Sequence, residues 1–354
     1  MYLCTPIKTK KILKKEDILR IKNLLSEKKE IVIIVHYNPD GDAIGASLAL
    51  MMYLQQNGHN VQIVAPNPYP DFLEWLHNSK SILLATSKQE LCMEKIKSAD
   101  IIFCTDFNHP SRAGTLQKAL ETSKAEKILI DHHINPDNFF KIMYSEPEFT
   151  SSTCELIYNF IVKFMDGKKF INKHIAECLY VGIITDTGSL SYSCNNESTY
   201  HILGDLIQYG IDGETIHRKV YDTYSESRIR LLGHCLVERL CVFDEFATSY
   251  IYLTKEDLTN YNYKQGDTEG IVNYGLSMNT VRFTALFSER DDRIRISFRS
   301  KGDFDVNDFA AKHFNGGGHK NASGGNSYKS MNETIEEFKL LLIQYKSQLT
   351  KSWE

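Results

Sequence analysis

IVIIVHYNPDGDAIG, residues 31–45, is the stretch on which the reading of this chain turns. Its first five residues, Ile31 to Val35, form a continuous β-branched run, the mark of a strand buried on both faces. The turn NPDGD stops the strand. A helix of small residues follows, AIGASLALMMYLQQNG, with Gly58 as its stop. His36, Asp40 and Asp42 sit at the junction. Three later segments repeat the design. IIFCTDFNH ends on Asp106, ILIDHHIN carries Asp131, His132 and His133, and the helical VGIITDTGS carries Asp186. NVQIVA (60–65), DIIFCTD (100–106) and KILIDHH (127–133) read as further strands alternating with helices, which predicts a parallel sheet covered on both sides. Ligands of such sheets bind off the carboxyl ends of the strands.

Taken singly, each block has a plain reading. Asn-Pro-Asp-Gly is ordinary turn material, and Asp106 or Asp186 could cap a helix or turn. Taken together, Asp and His close apolar segments four times, which makes sense if those ends converge. Converging carboxylates repel unless divalent ions lie between them, and mixed His/Asp ligation suits hard-to-borderline metals. The expectation is a dinuclear centre on His36, Asp40, Asp42, Asp106, His132 and Asp186, with Asp106 as the bridging carboxylate.

The chain has 354 residues, 42% hydrophobic and 24% charged, which suggests about two soluble globular domains. A net charge of −4 argues against extended DNA binding and leaves room for a small nucleotide. None of the eight cysteines has C-x-x-C spacing, and reduced thiols point to the cytoplasm. The N-terminal MYLCTPIKTKKILKKED lacks the apolar region of a signal peptide, and no apolar run approaches a membrane span.

Helices are expected over 13–28, 151–165, 172–185, 197–210 and 213–239. Character changes near 240. CVFDEFATSYIYLT, VRFTALFSER and RIRISFRS read as strands, the last two as a hairpin. A short helix, DVNDFAAKHF, and the glycine-rich GGGHKNASGG (316–325) follow, then a terminal helix over 332–349. This yields an α/β catalytic domain (1–195), a helical connector (196–239) and a smaller α/β domain with a mixed sheet (240–354). The second domain is expected to grip substrate. Gly316, Gly317 and Gly318 would let backbone N–H groups reach a phosphate, His319 would add a charged contact, and Arg282, Arg299 and Ser300 would recognise phosphate.

The DHH run 131–133 and the later GGGH run together resemble the DHH phosphoesterase superfamily with its DHH-associated domain, in the nanoRNase/pAp-phosphatase branch. The resemblance covers roughly 30 to 330. It implies one Mn²⁺ on His36, Asp40 and Asp106 and another on Asp42, Asp106, His132 and Asp186, with Mg²⁺ or Co²⁺ as alternative ions. It implies that Asp131 orients its neighbours. His133 is not needed as a ligand if His132 is one, which places it to contact the phosphate or protonate the leaving oxygen. A water between the ions would attack phosphorus as hydroxide. The expected substrates are very short RNA, linear dinucleotides and pAp; no membrane is expected as a partner, and a homodimer stays open. The rival readings are a manganese pyrophosphatase or exopolyphosphatase, a RecJ-type exonuclease, and a non-catalytic nucleotide sensor.

Overall fold

The computed structural model describes residues 13–264 and 266–351. The expectations placed on the N-terminal segment, including the absent signal peptide, lie mostly outside them. The chain divides into two compact units, 1–223 and 224–354.

The first unit runs α1 (Lys15–Leu24), β1 (Glu30–Ile34), α2 (Gly41–Gln56), β2 (Asn60–Ala65), β3 (Leu83–Leu84), α3 (Ala85–Ser98), β4 (Ile101–Thr105), α4 (Gln117–Thr122), β5 (Glu126–Ile130), β6 (Ile142–Tyr144), α5 (Thr153–Asn159), α6 (Lys173–Asp186), α7 (Glu197–Ile207) and α8 (Gly213–Tyr221). Its sheet has the order β3-β2-β1-β4-β5-β6 and every pairing is parallel. The two shortest strands, β3 and β6, have no signal in the sequence pattern. Alternate residues of β1 face opposite layers. Ile31 and Ile33 join the core under α2, α5 and α6, while Val32 and Ile34 pack with Cys92 and Ile96 of α3. Burial on both faces is why the strand reads as an unbroken β-branched run.

Helix α2 is buried almost throughout. It packs most extensively against α6, and glycines allow the approach. A Cβ on Gly45 would lie 2.4 Å from the Cys178 carbonyl oxygen; one on Gly182 would lie 2.1 Å from Cys154 Sγ and 2.9 Å from Asp42 Oδ1. Helices α7 and α8 belong to this same unit. Ile202, Leu203, Leu206, Ile216 and Val220 enter its core. Ser198 and Thr199 of α7 donate to the fully buried Glu155 of α5, at 2.5 and 2.9 Å. The stretch expected as a connector is thus divided: 196–223 packs with the first unit, and the helix that follows lies in the second.

The second unit comprises α9 (Glu226–Glu238), β7 (Leu240–Phe243), β8 (Thr248–Leu253), α10 (Lys255–Asn260), α11 (Ile271–Leu276), β9 (Phe283–Glu289), β10 (Ile294–Ser300), α12 (Val306–His313), β11 (Gly317–His319), β12 (Ala322–Ser327) and α13 (Met331–Leu349). Its mixed sheet runs β11-β12-β10-β9-β8-β7, with only β8–β9 parallel. A phenylalanine-rich core lies on one face (Phe283, Phe287, Phe298, Phe309, Phe338), and Leu231, Ile251, Leu253 and Val272 pack on the other. CVFDEFATSYIYLT, expected as strand, is a hairpin, because Ala247 turns the chain with φ +46°. The glycine-rich run is also a hairpin, β11–β12. Among the described residues no helix is long and apolar enough to cross a membrane.

Two outcomes test this packing. Gly45→Ala should destabilise the protein by about 1–3 kcal/mol through overpacking. Gly204→Ala, where a Cβ meets open space in α7, should stabilise it by about 0.5–1 kcal/mol; urea midpoints report both. Asp257 (5% side-chain exposure) accepts from Arg239 Nε and Nη2 and His234 Nε2, and closes the capping box of α10 with Thr254. Burial pushes its pKa up, but Arg239, Thr254 and His234 hold it well below the usual carboxylate range. The stabilisation is therefore complete above the unfolded value near about 4 and fades as pH falls below it. Asp257→Asn should cost about 3 kcal/mol at pH 7, and its deficit in urea titrations should shrink toward pH 3.

Candidate metal centre

Strand order reverses between β1 and β4, the place where open α/β sheets bind ligands. His36 follows β1 and Asp106 follows β4, so both lie at this switch point. Asp131 and His132 follow β5, and Asp186 is the last residue of α6. Asp106, 2% exposed, adopts a left-handed backbone with φ +65°, a conformation Asp tolerates better than most residues. Its Oδ2 lies 3.4 Å from His36 Nε2, and its Oδ1 lies 3.6 Å from His132 Nε2. The two oxygens of one carboxylate thus face two different histidines.

Around Asp106 the donors fall into groups able to hold an ion: His36, Asp40 and Asp106; Asp42, Asp106 and His132; and Asp106, Asp131 and His133. Asp186 Oδ2 stands 3.4 Å from His132 Nε2, beside the second group. Asp40 has two functions. Its Oδ1 caps α2 by accepting from the N–H groups of Asp42 and Ala43, and its Oδ2 lies 3.9 Å from His36 Nε2. The turn-and-cap reading of this residue and the ligand reading are therefore compatible.

These residues fit a divalent metal. His36 Nδ1 donates to the Tyr37 carbonyl at 2.9 Å, which leaves Nε2 as the atom facing the carboxylates; it is buried and has no hydrogen-bond partner. Burial pushes the His36 pKa down, but the Asp106 and Asp40 carboxylates more than reverse this. Asp42 and Asp186 are pushed well above the usual carboxylate range, by burial first and then by neighbouring carboxylates. Asp106 is held ionised, because His36, His133 and His132 outweigh its burial. A cation among these groups would relieve the repulsion.

Two neighbours escaped the sequence reading. Thr153, the first residue of α5, donates its N–H to Asp42 Oδ2 at 2.6 Å and its hydroxyl to Asp106 Oδ1 at 2.9 Å. The Cys154 N–H donates to Asp42 Oδ1 at 2.8 Å, so the N-terminus of α5 steadies a buried carboxylate. The only sequence hint was SSTCE, a Ser before an apolar run with Glu three residues on. Arg112 is the other. Its Nη1 donates to His133 Nε2 at 2.9 Å, and its carbonyl accepts from the Tyr37 N–H at 2.6 Å. His133 Nδ1 in turn donates to Asp131 Oδ1 at 2.7 Å. This network assigns the ring proton to Nδ1, so Nε2, where a leaving oxygen would be protonated, accepts from Arg112 instead. No motif marked the arginine in HPSRAG.

In the second unit, Gly316 N–H donates to the Ala310 carbonyl and Gly318 N–H to Asn307 Oδ1, at 3.1 and 2.7 Å. Those two N–H groups hold the hairpin and are not available as a phosphate cradle. A Cβ on Gly316 would lie 2.0 Å from the Gly324 carbonyl oxygen, which explains the glycine by strand contact. Gly317 is exposed and His319 half-buried on β11. Ser300 is buried, donating to the Phe304 carbonyl and accepting from Asn321, which removes it from the candidate phosphate contacts. Arg299 donates to its neighbour's carbonyl, and Arg282 to that of Lys351.

A switch-point site of buried His and Asp on a parallel sheet, followed by a mixed-sheet unit, defines an α/β protein with a candidate metal centre. Matches to known proteins agree. The DHH family N-terminal domain matches residues 30–183 and the DHHA1 domain residues 245–348. The chain belongs to the DHH family. It is 28% identical over 301 residues to the bifunctional oligoribonuclease and PAP phosphatase NrnA of Bacillus subtilis, covering 84% of this chain and 89% of that one. It is 25% identical to the Bacillus subtilis cyclic-di-AMP phosphodiesterase GdpP, over 92% of this chain and 49% of that protein. Among solved structures, an exopolyphosphatase-related protein from Bacteroides fragilis shares 42% identity at a TM-score of 0.93, covering 97% of this chain and all of that one.

Thr153→Val removes one donor to Asp106 and keeps the shape. It should weaken Mn²⁺ binding about 10- to 100-fold, with Thr153→Ser near wild type; calorimetric titration of the metal measures both.

Proposed function

We propose that the chain is a divalent-metal-dependent phosphoesterase that hydrolyses very short oligoribonucleotides or linear dinucleotides to mononucleotides, and pAp to AMP. The observation that carries this reading is the carboxylate of Asp106, common to three donor groups, among them His36 with Asp40 and Asp42 with His132. His36, Asp40 and Asp106 would hold one ion, and Asp42, Asp106, His132 and Asp186 the other. When bound, the ions would polarise the phosphoryl group and acidify water. Mixed imidazole and carboxylate donors favour Mn²⁺ over Mg²⁺.

The chain's own groups supply the positioning. Thr153 fixes Asp106 and the N-terminus of α5 fixes Asp42. Asp131 and Arg112 together hold the His133 ring in one tautomer and orientation. In this arrangement His133 serves as a contact and orienting group rather than as a proton donor through Nε2. Arg299 and His319 of the second unit would bind the terminal nucleotide. The NrnA name of the Bacillus subtilis relative supports the substrate class, and the buried free cysteines fit a reducing cytoplasm. The Bacteroides fragilis structure's description as exopolyphosphatase-related favours a second reading, with polyphosphate or pyrophosphate as substrate.

Asp106→Asn should abolish turnover while leaving the circular dichroism spectrum unchanged. A panel with Mn²⁺ separates the two readings: RNA of two to about twenty nucleotides, pAp, pyrophosphate and polyphosphate. Under the nuclease reading kcat/KM peaks between two and about five nucleotides and pyrophosphate is poor. A best rate on pyrophosphate or polyphosphate selects the second reading.

A further inference from the structure

Beside the carboxylates, the first unit has a groove of about 470 Å³ lined by Tyr37, Ser111, Arg112, Gly114 and Thr115. None of these residues belongs to the donor groups. Tyr37 follows His36 directly, yet its side chain is turned out, 54% exposed. Its backbone is fixed on both sides. The carbonyl accepts from His36 Nδ1, and the N–H donates to the Arg112 carbonyl. The next residue is also held, since Asn38 N–H donates to Asn67 Oδ1 at 2.7 Å and Asn67 Nδ2 donates back to Asn38 Oδ1 at 2.8 Å. The ring rests against Gly114, whose φ is +56°; a Cβ there would lie 3.2 Å from Tyr37 Cδ2. The groove therefore presents a held aromatic plate to solvent.

Its second functional group is Arg112. The guanidinium has five N–H donors in a planar fork, and one nitrogen reaches His133 Nε2. The same side chain thus touches the metal-centre network and lines the groove. The lining has no carboxylate, which favours an anionic occupant. It also has no side-chain amide, the group that reads base edges. An aromatic face, a planar cation and hydroxyls are the elements with which proteins bind single-stranded nucleic acid without reading its sequence.

We propose that this groove is the subsite for the second nucleoside of the substrate. Its base lies on Tyr37, and a phosphate oxygen of the same nucleotide meets Arg112. The inference rests on the phosphoesterase reading above and adds to it a reason for accepting a dinucleotide. A bisphosphate such as pAp has one base and leaves this subsite without one; pApA and its longer relatives fill it. Stacking tolerates every base, so the subsite does not discriminate between A, G, C and U.

The experiment compares kcat/KM for pApA with that for pAp, both with Mn²⁺, in wild type, Tyr37→Ala, Tyr37→Leu and Tyr37→Phe. The pApA-to-pAp ratio should fall roughly tenfold in Tyr37→Ala, the size of one lost base–aromatic stack. The loss should appear in KM. Tyr37→Leu, which keeps the bulk, should show the same fall, and Tyr37→Phe should keep the ratio. Gly114→Ala, which crowds the ring, should lower it as well. A ratio within twofold of wild type in Tyr37→Ala and Tyr37→Leu overturns the subsite. So does a fall in Tyr37→Phe as large as in Tyr37→Ala, because the hydroxyl would then be the contact. A wild type that hydrolyses neither substrate refutes the phosphoesterase reading and takes the subsite with it. A wild type that hydrolyses both, with Tyr37→Ala and Tyr37→Leu at its ratio, refutes the subsite alone.

Discussion

Repulsion among buried carboxylates is the constraint around which the first unit is organised. Asp42, Asp106 and Asp131 are all buried, and neighbouring carboxylates, Asp106 and Asp40 among them, add to the cost of ionising Asp42 and Asp186. Two devices in the chain offset part of this. The N-terminus of α5 aims two N–H groups at Asp42, and α2 begins on N–H groups that bind Asp40. The histidines offset another part at Asp106. What is left fits cations. The left-handed backbone of Asp106 belongs to the same arrangement, because it places both oxygens of one carboxylate toward different histidines.

The parts of the fold that could be read from the sequence are those where one residue type repeats for one physical reason. Ile31 to Val35 can be recognised as a strand because both faces of the sheet are covered. The candidate ligand residues stand out because Asp and His are costly at the ends of apolar segments. β3 and β6, two and three residues long, offer too little pattern to be seen. The glycine-rich run reads as a loop when taken alone. It is a hairpin because β10 supplies a pairing partner and because backbone must pass close to backbone at Gly316.

Arg112 and Thr153 could not be seen for a different reason. Each acts through partners distant in sequence: Arg112 on Tyr37 and His133, Thr153 on Asp42 and Asp106. Neither has an unusual neighbourhood in the chain. The division of the helical stretch after 196 was hidden in the same way. Glu155 draws α7 to α5 through hydroxyl groups 43 and 44 positions away, and no local periodicity encodes that attachment.

The parallel sheet carries a consequence for how the protein comes into being. β1 lies between β2, the next strand in the chain, and β4, which begins about seventy residues after β1. The loops bearing His36 and Asp106 meet only when that non-local pair closes, a step slowed by the entropy of the intervening loop. Asp186 arrives later still. The donor groups around Asp106 thus draw on segments as far apart as residues 36 and 133, and the carboxylate beside His132 is added only with residue 186. A cation held by the folded centre alone would draw the last stage of folding forward by mass action, and metal supply would then be a term in the stability of the fold.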